Sequence, residues 1–298
     1  MLEFGLERAR FRLGLPAIAA IAALVTGCGS NSSVAAVSVG GSAGTPNLDS
    51  STALGGSSNS ASSGNNGASS GSAGTHQNPA PNVLVFSRTV GYRHSSIEPA
   101  IRALAGMARE RGFSLTATED PATFSANGLA NFDVVLFLST TGDVLNEEQQ
   151  VAFEAFIRGG RGFVGVHAAS DTEYDWPWYG GLVGAYFRNH PEVQRATLLV
   201  EDVSHPATAQ LPTPWTRTDE WYSFRDNPRT RVKTLLRLDE STYEPGESSM
   251  DADHPIAWYH EYDGGRAFYT GLGHTDESYQ EPAFLEHLWG GIEWAASR

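Results

Sequence analysis

The stretch NVLVFSRTVGYRHSSIEPAIRALAGMARERG, residues 82–112, opens on a continuous apolar run of strand length, Asn82 to Ser87. A strand that is apolar on both faces belongs inside a parallel sheet. Gly91 to His94 form a loop, and Ser95 or Ser96 can cap a helix in which Ile97, Ile101, Leu104, Ala105 and Ala108 recur at helical spacing until Gly112 ends it. Strand, loop and helix make one βα unit.

The same grammar continues downstream. Ser114 to Thr118 and Asp133 to Leu138 read as strands, Asn146 caps a helix carrying Val151, Phe153, Phe156 and Ile157, Gly159-Gly160 stops it, and Gly162 to Val166 is a fourth strand. Strands alternating with helices imply a mainly parallel sheet with helices on both faces, whose functional groups gather beyond the strands' C-terminal ends. The second half differs. Residues 192–200 and 231–238 read as strands, Ile256–Tyr259 and Gly265–Thr270 as a hairpin turning at Asp263-Gly264-Gly265, and residues 282–296 as a closing helix. Residues 82–298 thus form one α/β domain with an antiparallel extension and no internal repeat.

Upstream the composition changes. Residues 1–27 carry Arg8, Arg10 and Arg12 and then an apolar run too short for a comfortable membrane span, as in a secretory signal peptide. The run ends in Leu24-Val-Thr-Gly-Cys28, which resembles a bacterial lipobox, and Cys28 is the only cysteine in the chain. Lipidation at Cys28 is the expectation, with Gly29 rather than Asp next to it pointing to outer-membrane sorting. Residues 28–81 are nearly all Ser, Gly, Ala and Asn, the composition of a flexible tether, with a random-coil reach of roughly 40 Å. Removing the leader takes away three arginines against Glu3 and Glu7, so the net charge of −14 becomes more negative still. Such a surface argues against nucleic acid or an anionic membrane as partner, leaving the lipid as the attachment to the envelope.

Histidines carry the chemical signal. His94 and His167 each follow an apolar strand and should open on one rim of the sheet, and His274, after the hairpin strand, could join them. His190, His205 and His254 each precede proline, which alone accounts for an extended backbone there. His260 and His287 fall in a strand and a helix, where a structural role is expected. No His-x-x-x-His, His-Glu-x-x-His or Cys-x-x-Cys pair is present, so no cofactor is assigned, and a divalent metal would need ligands from distant segments. Asp219-Glu220-Trp221-Tyr222 sets acids against aromatics, an environment that could raise a carboxyl pKa for proton transfer. Asp171 and Asp175 follow His167 closely enough to orient a histidine or cap a helix. The many large aromatics of the second half can be core or can offer flat faces to a sugar; Trp176, Trp221 and Tyr222, with Tyr92 and His190, are the residues expected to contact one.

Together, Val83 to His94, Gly162 to Ala168, Arg188-Asn-His-Pro191, His205-Pro206, Thr218 to Tyr222, Pro255 to Trp258 and Gly264 to His274 resemble the ThuA-like, or trehalose-utilisation, proteins. The resemblance spans residues 82–298. It implies a flavodoxin-like fold related to the class I glutamine amidotransferases, and a role in carbohydrate metabolism on disaccharides or their 3-keto forms. Where the amidotransferases place a cysteine in a Gly-x-Cys-x-Gly elbow, this chain has Gly165-Val-His-Ala-Ala169, with His167 in the nucleophile's place. Glutamine hydrolysis needs a thiolate, and the sole cysteine belongs to the leader junction. Two classes of function follow. One is an enzyme on a sugar or keto-sugar, with His167, His94 and His274 as acid/base groups or metal ligands and Glu220 as supporting carboxylate. The other is a non-catalytic, lipid-anchored carbohydrate-binding or scaffold module. Neither reading assigns an oligomeric partner.

Overall fold

A computed structural model describes residues 80–297. The leader, Cys28, Gly29 and all but the last residues of the tether therefore lie outside the described residues. In chain order the strands are β1 (Asn82–Phe86), β2 (Ser114–Thr118), β3 (Val134–Leu138), β4 (Gly162–Val166), β5 (Phe187–Asn189), β6 (Gln194–Val200), β7 (Trp215–Asp219), β8 (Ser223–Phe224), β9 (Lys233–Asp239), β10 (His254–Tyr262) and β11 (Gly265–Thr270). The helices are α1 (Ile97–Arg111), α2 (Ala126–Leu129), α3 (Glu147–Arg158), α4 (Pro177–Val183) and α5 (Pro282–Ala296). Among the described residues no helix is long and apolar enough to cross a membrane.

Nine strands form one sheet in the order β2-β1-β3-β4-β11-β10-β9-β6-β7, and β5 pairs with β8 in a small ribbon. The first five strands are mutually parallel, and the pairs from β11 to β7 are antiparallel, so seven of the nine strands still run the same way. β1 is hydrogen-bonded on both edges, to β2 and β3, and Val83 to Phe86 are fully buried, which explains its unbroken apolar run. Helices cover both faces. Phe163 meets Phe153 of α3 and Tyr179 of α4 on one face, while a side chain at Gly162, on the other, would collide with the Ala295 carbonyl of α5 at 2.4 Å. The expected α/β sheet with its antiparallel extension is the observed one.

Local signals act largely as read. Asn146 and Gln149 make a full capping box on α3, and Gly112 ends α1 in the left-handed conformation at φ 77°. Asp263 and Gly264 join β10 to β11 as a two-residue turn with both φ positive, the twist a tight hairpin needs. Ser96 occupies the start of α1 but makes no capping bond; its hydroxyl donates to the Gly273 carbonyl at 3.2 Å. That contact ties the start of α1 to the loop after β11.

In the main sheet β7 is the strand that hydrophobic patterning misses, as it misses β5 and β8 of the small ribbon. Trp215, Arg217 and Asp219 point inward and alternate with exposed Thr216 and Thr218, so two of its three buried residues are charged. Arg217 is held between the rings of Trp215 and Phe284, 5.1 and 4.7 Å from their centroids, and pairs with Asp219 at 3.3 Å and Glu281 at 3.0 Å. Period-two alternation is present, but in a polarity that an apolar count does not register.

Candidate functional site

The site lies on the rim formed by the C-terminal ends of the parallel strands. His94 stands in the loop between β1 and α1, His167 directly follows β4, His274 lies four residues past β11, and Glu220 directly follows the edge strand β7. Ring centroids of His94 and His167 are 4.8 Å apart, and His274 lies 5.2 Å from each. Glu220 closes the group. Its Oε2 is 3.3 Å from His167 Nε2 and 3.0 Å from His274 Nδ1, while Oε1 is 3.1 Å from His190 Nδ1. The four candidate chemical residues therefore meet, although 180 positions of sequence separate His94 from His274.

Backbone geometry holds His167 in place. Its φ is +51°, a left-handed conformation that costs a non-glycine residue free energy and that clusters at functional sites. This fits the sharp strand-to-helix turn inferred from Gly165-Val-His-Ala-Ala169. The His167 carbonyl accepts from the Tyr269 hydroxyl at 2.8 Å, and its Nδ1–H donates to the Gly271 carbonyl at 2.9 Å. Since a carbonyl only accepts, the proton is on Nδ1, and Nε2 presents a lone pair to Glu220 and His274 in the neutral ring.

Asp219, fully buried, organises the other two members. Its carboxylate accepts from the backbone N–H of Glu220 at 3.0 Å, Gly273 at 2.9 Å and His274 at 3.0 Å, with Arg217 as counter-charge. One side chain so clamps the end of β7 to the loop after β11. Gly273 is required there: its φ is +107°, and a Cβ would stand 2.7 Å from the Tyr279 hydroxyl. The sequence placed Asp219 beside Glu220 without assigning it this positioning role, which depends on contacts across more than fifty residues.

Electrostatics separates the members. Burial alone would push the Glu220 carboxyl up, but the hydrogen bonds and positive charge that His167 and His274 supply when protonated outweigh it and hold the group well below the usual carboxylate range. The expectation of a raised Glu220 is thus corrected: its pKa follows the imidazoles rather than the neighbouring aromatics. Burial, then the charges of His167 and His274, push His94 down to about 3. Burial lowers His274 as well, but the Glu220 hydrogen bond and charge win and raise it.

The expected sugar contacts divide. Tyr92 is 68% exposed and its ring meets His94 edge-on at 4.9 Å, at the mouth of the site. Tyr222 lies against His167 at 4.1 Å between centroids and stacks with His190 at 5.8 Å, forming a mostly buried wall. Trp221, by contrast, is fully buried and donates its indole N–H to the Gln194 carbonyl, and Trp176 is buried with its N–H on Glu154. Neither tryptophan presents a face on which a sugar could stack, so both are corrected to core residues. Asp171 accepts from the Tyr174 hydroxyl at 2.6 Å, and no hydrogen bond joins it to a histidine among the described residues. A surface cleft lined by Arg161, Glu261, Asp263 and Arg266 lies at the opposite ends of β4 and β11 and holds none of these residues.

Among the described residues, the other buried or half-buried histidines behave as structural residues. His287 donates to the Ala207 carbonyl and meets the Thr270 hydroxyl, His260 donates to Leu182, and His205 accepts from the Ala207 N–H. Among the described residues, only the rim set combines ligand chemistry with proximity. His94, His167, His274 and Glu220 each offer one ligand atom, and these atoms lie within 4.8 Å of one another.

Comparison with known proteins bears on the fold and the family. A ThuA-like protein from Bacteroides uniformis is 24% identical, with a TM-score of 0.63 over 74% of this chain and 94% of its own. A second, from Parabacteroides merdae, is 19% identical, with a TM-score of 0.61 over 73% of this chain and 90% of its own. These likenesses concern the fold. No functionally curated protein matches the chain. The family described as trehalose utilisation matches residues 82–295, which include every strand and all four rim residues, and the chain belongs to that ThuA family.

Proposed function

We propose that this protein acts in carbohydrate metabolism as an exported, lipid-anchored enzyme on a disaccharide or its 3-keto form, with the rim set as its chemical centre. The observation that carries the proposal is the convergence of three imidazoles and one ionised carboxylate on a single rim, reached from four separate segments. Family membership supports the substrate class. The apolar leader and the Leu24 to Cys28 lipobox support the anchor.

A ketone at C3 of a sugar ring acidifies the C2–H bond. Removal of that proton drives elimination: the C1–O bond breaks, its electron pair leaves with the glycosidic oxygen, which takes a proton, and C1 and C2 become doubly bonded. Water adding across that bond completes hydrolysis, and proton return without cleavage gives isomerisation. The step needs a base and positive charge where the enolate oxygen develops. The charge comes from the rim set, as protonated His274 or as a cation held by the four side chains. His190 is 41% exposed by side chain, and with Nδ1–H donated to the Pro191 carbonyl its Nε2 carries the lone pair, which suits proton removal. Glu220, held ionised, is the supporting anion and not the proton donor to the leaving oxygen.

The binding-module reading, which rested on the tether and the aromatics, loses Trp176 and Trp221 as a platform, since both are buried. The test is to incubate the full chain with a disaccharide and with its 3-keto derivative and to follow products by NMR. Cleavage or isomerisation of the keto form that disappears in His167→Gln supports the proposal. Binding without turnover, unchanged in that variant, contradicts it.

A further inference from the structure

We propose that His94, His167, His274 and Glu220 hold one divalent first-row transition-metal ion of the zinc, manganese or iron kind. The proposal rests on the same rim site as the function above, and names the form in which that site carries positive charge.

Three atoms make the case first. His167 Nε2, His274 Nδ1 and Glu220 Oε2 form a triangle with sides of 3.2, 3.3 and 3.0 Å. His167 Nε2 offers a lone pair because its Nδ1–H is donated to Gly271, and the Glu220 oxygen is an acceptor as well. A lone pair 3.3 Å from a carboxylate oxygen is a poor contact unless a cation sits against both. With metal–ligand bonds of about 2.0–2.2 Å, ligand atoms around one ion stand about 3.0–3.5 Å apart at right-angled or tetrahedral geometry, which matches the triangle.

The fourth observation is independent. His94 Nδ1 is buried and has no hydrogen-bond partner, and the His94 ring stands within 5.2 Å of both other rings. Neutral nitrogen ligands suit a transition ion, whereas magnesium and calcium prefer oxygen, and the rim set offers no thiolate to favour copper(I) or an iron–sulfur cluster. The outer contacts are also those of a metal site. His167 donates its distal N–H to a carbonyl, His190 braces the far oxygen of Glu220, and Asp219 fixes the backbone of Glu220 and His274.

The experiment uses the purified full chain, stripped with chelator, reloaded with Zn²⁺ or Co²⁺ and desalted. Metal content, the visible spectrum of the Co²⁺ form and the thermal midpoint are then read. The expected result is about one ion per chain, a Co²⁺ spectrum showing nitrogen ligation, and a raised midpoint. His274→Asn and Glu220→Gln should each weaken retention at least tenfold, while His260→Gln, on β10 and away from the rim, should retain the ion. Should either rim variant fail to fold, the other, checked by circular dichroism, still decides. Less than a tenth of an equivalent in the stripped and reloaded protein overturns the proposal, as does equal retention by folded Glu220→Gln and His274→Asn. The readout does not depend on turnover. A bound ion without keto-sugar chemistry defeats only the function proposed above, and keto-sugar chemistry without an ion defeats only the metal site.

Discussion

His167 shows how a single residue links chain to chemistry. It ends a strand of buried residues, takes a left-handed φ, and its ring is fully buried with one nitrogen committed to Gly271. Its position was legible because an apolar run followed by a histidine must place that histidine at a strand end. The pKa direction of Glu220 was not legible, since it depends on two imidazoles that arrive from residues 167 and 274. Nor does an aromatic's identity say which way it faces, which is why Trp176 and Trp221 look like a platform in sequence and are core in the fold. Trp221→Ala should therefore cost about 3–5 kcal/mol of stability, as for a large buried aromatic. Urea unfolding measures this. A loss below about 1 kcal/mol would mean that the ring is more open than its burial indicates.

At the level of elements, the site depends on β7, an edge strand, meeting the loop after β11. Asp219 makes that junction with three backbone amides. Asp219→Ala should leave those three amide donors unpaired, costing about 1–3 kcal/mol per unsatisfied buried group as an upper range, and should loosen the His274 loop, while Arg217 keeps Glu281 and Ser278. Hydrogen exchange at Gly273 and His274 is the direct check, with faster exchange expected than in the parent chain and unchanged exchange counting against the clamp. The parallel half of the sheet could be read from its hydrophobic runs, and so could the hairpin, from Asp263-Gly264. β7 could not, because a strand that turns arginine and aspartate inward carries no apolar alternation. The same buried charges that hide it from pattern reading are the ones that position the site.

Across the whole molecule, burial sets the response to acid. Burial pushes His287 down to about 3 and His205 down to about 4, the latter against the opposing charge of Asp202. The unfolded chain binds these protons near the ordinary histidine value of 6.5. Between that value and the folded values the unfolded state carries more protons, so stability rises with pH through the window and falls as the solution is acidified. Each unit of separation is worth about 1.4 kcal/mol. Unfolding free energy measured from pH 7 to pH 4 should decline, and less steeply in His287→Gln; a flat profile would contradict the buried, neutral state of these rings. Cys28→Ser should move the chain from the membrane to the soluble fraction, and unchanged fractionation would remove the lipid anchor from the proposal.

The central claim is that the rim of His94, His167, His274 and Glu220 does chemistry on a sugar. The most direct measurement is the initial rate of 3-keto-disaccharide conversion by the full chain and by His167→Gln, at matched folded fraction. The expected result is measurable conversion by the parent and a fall of at least about 100-fold in the variant, the scale of a lost acid/base or ligating group. Conversion by the two proteins at the same rate would contradict the claim.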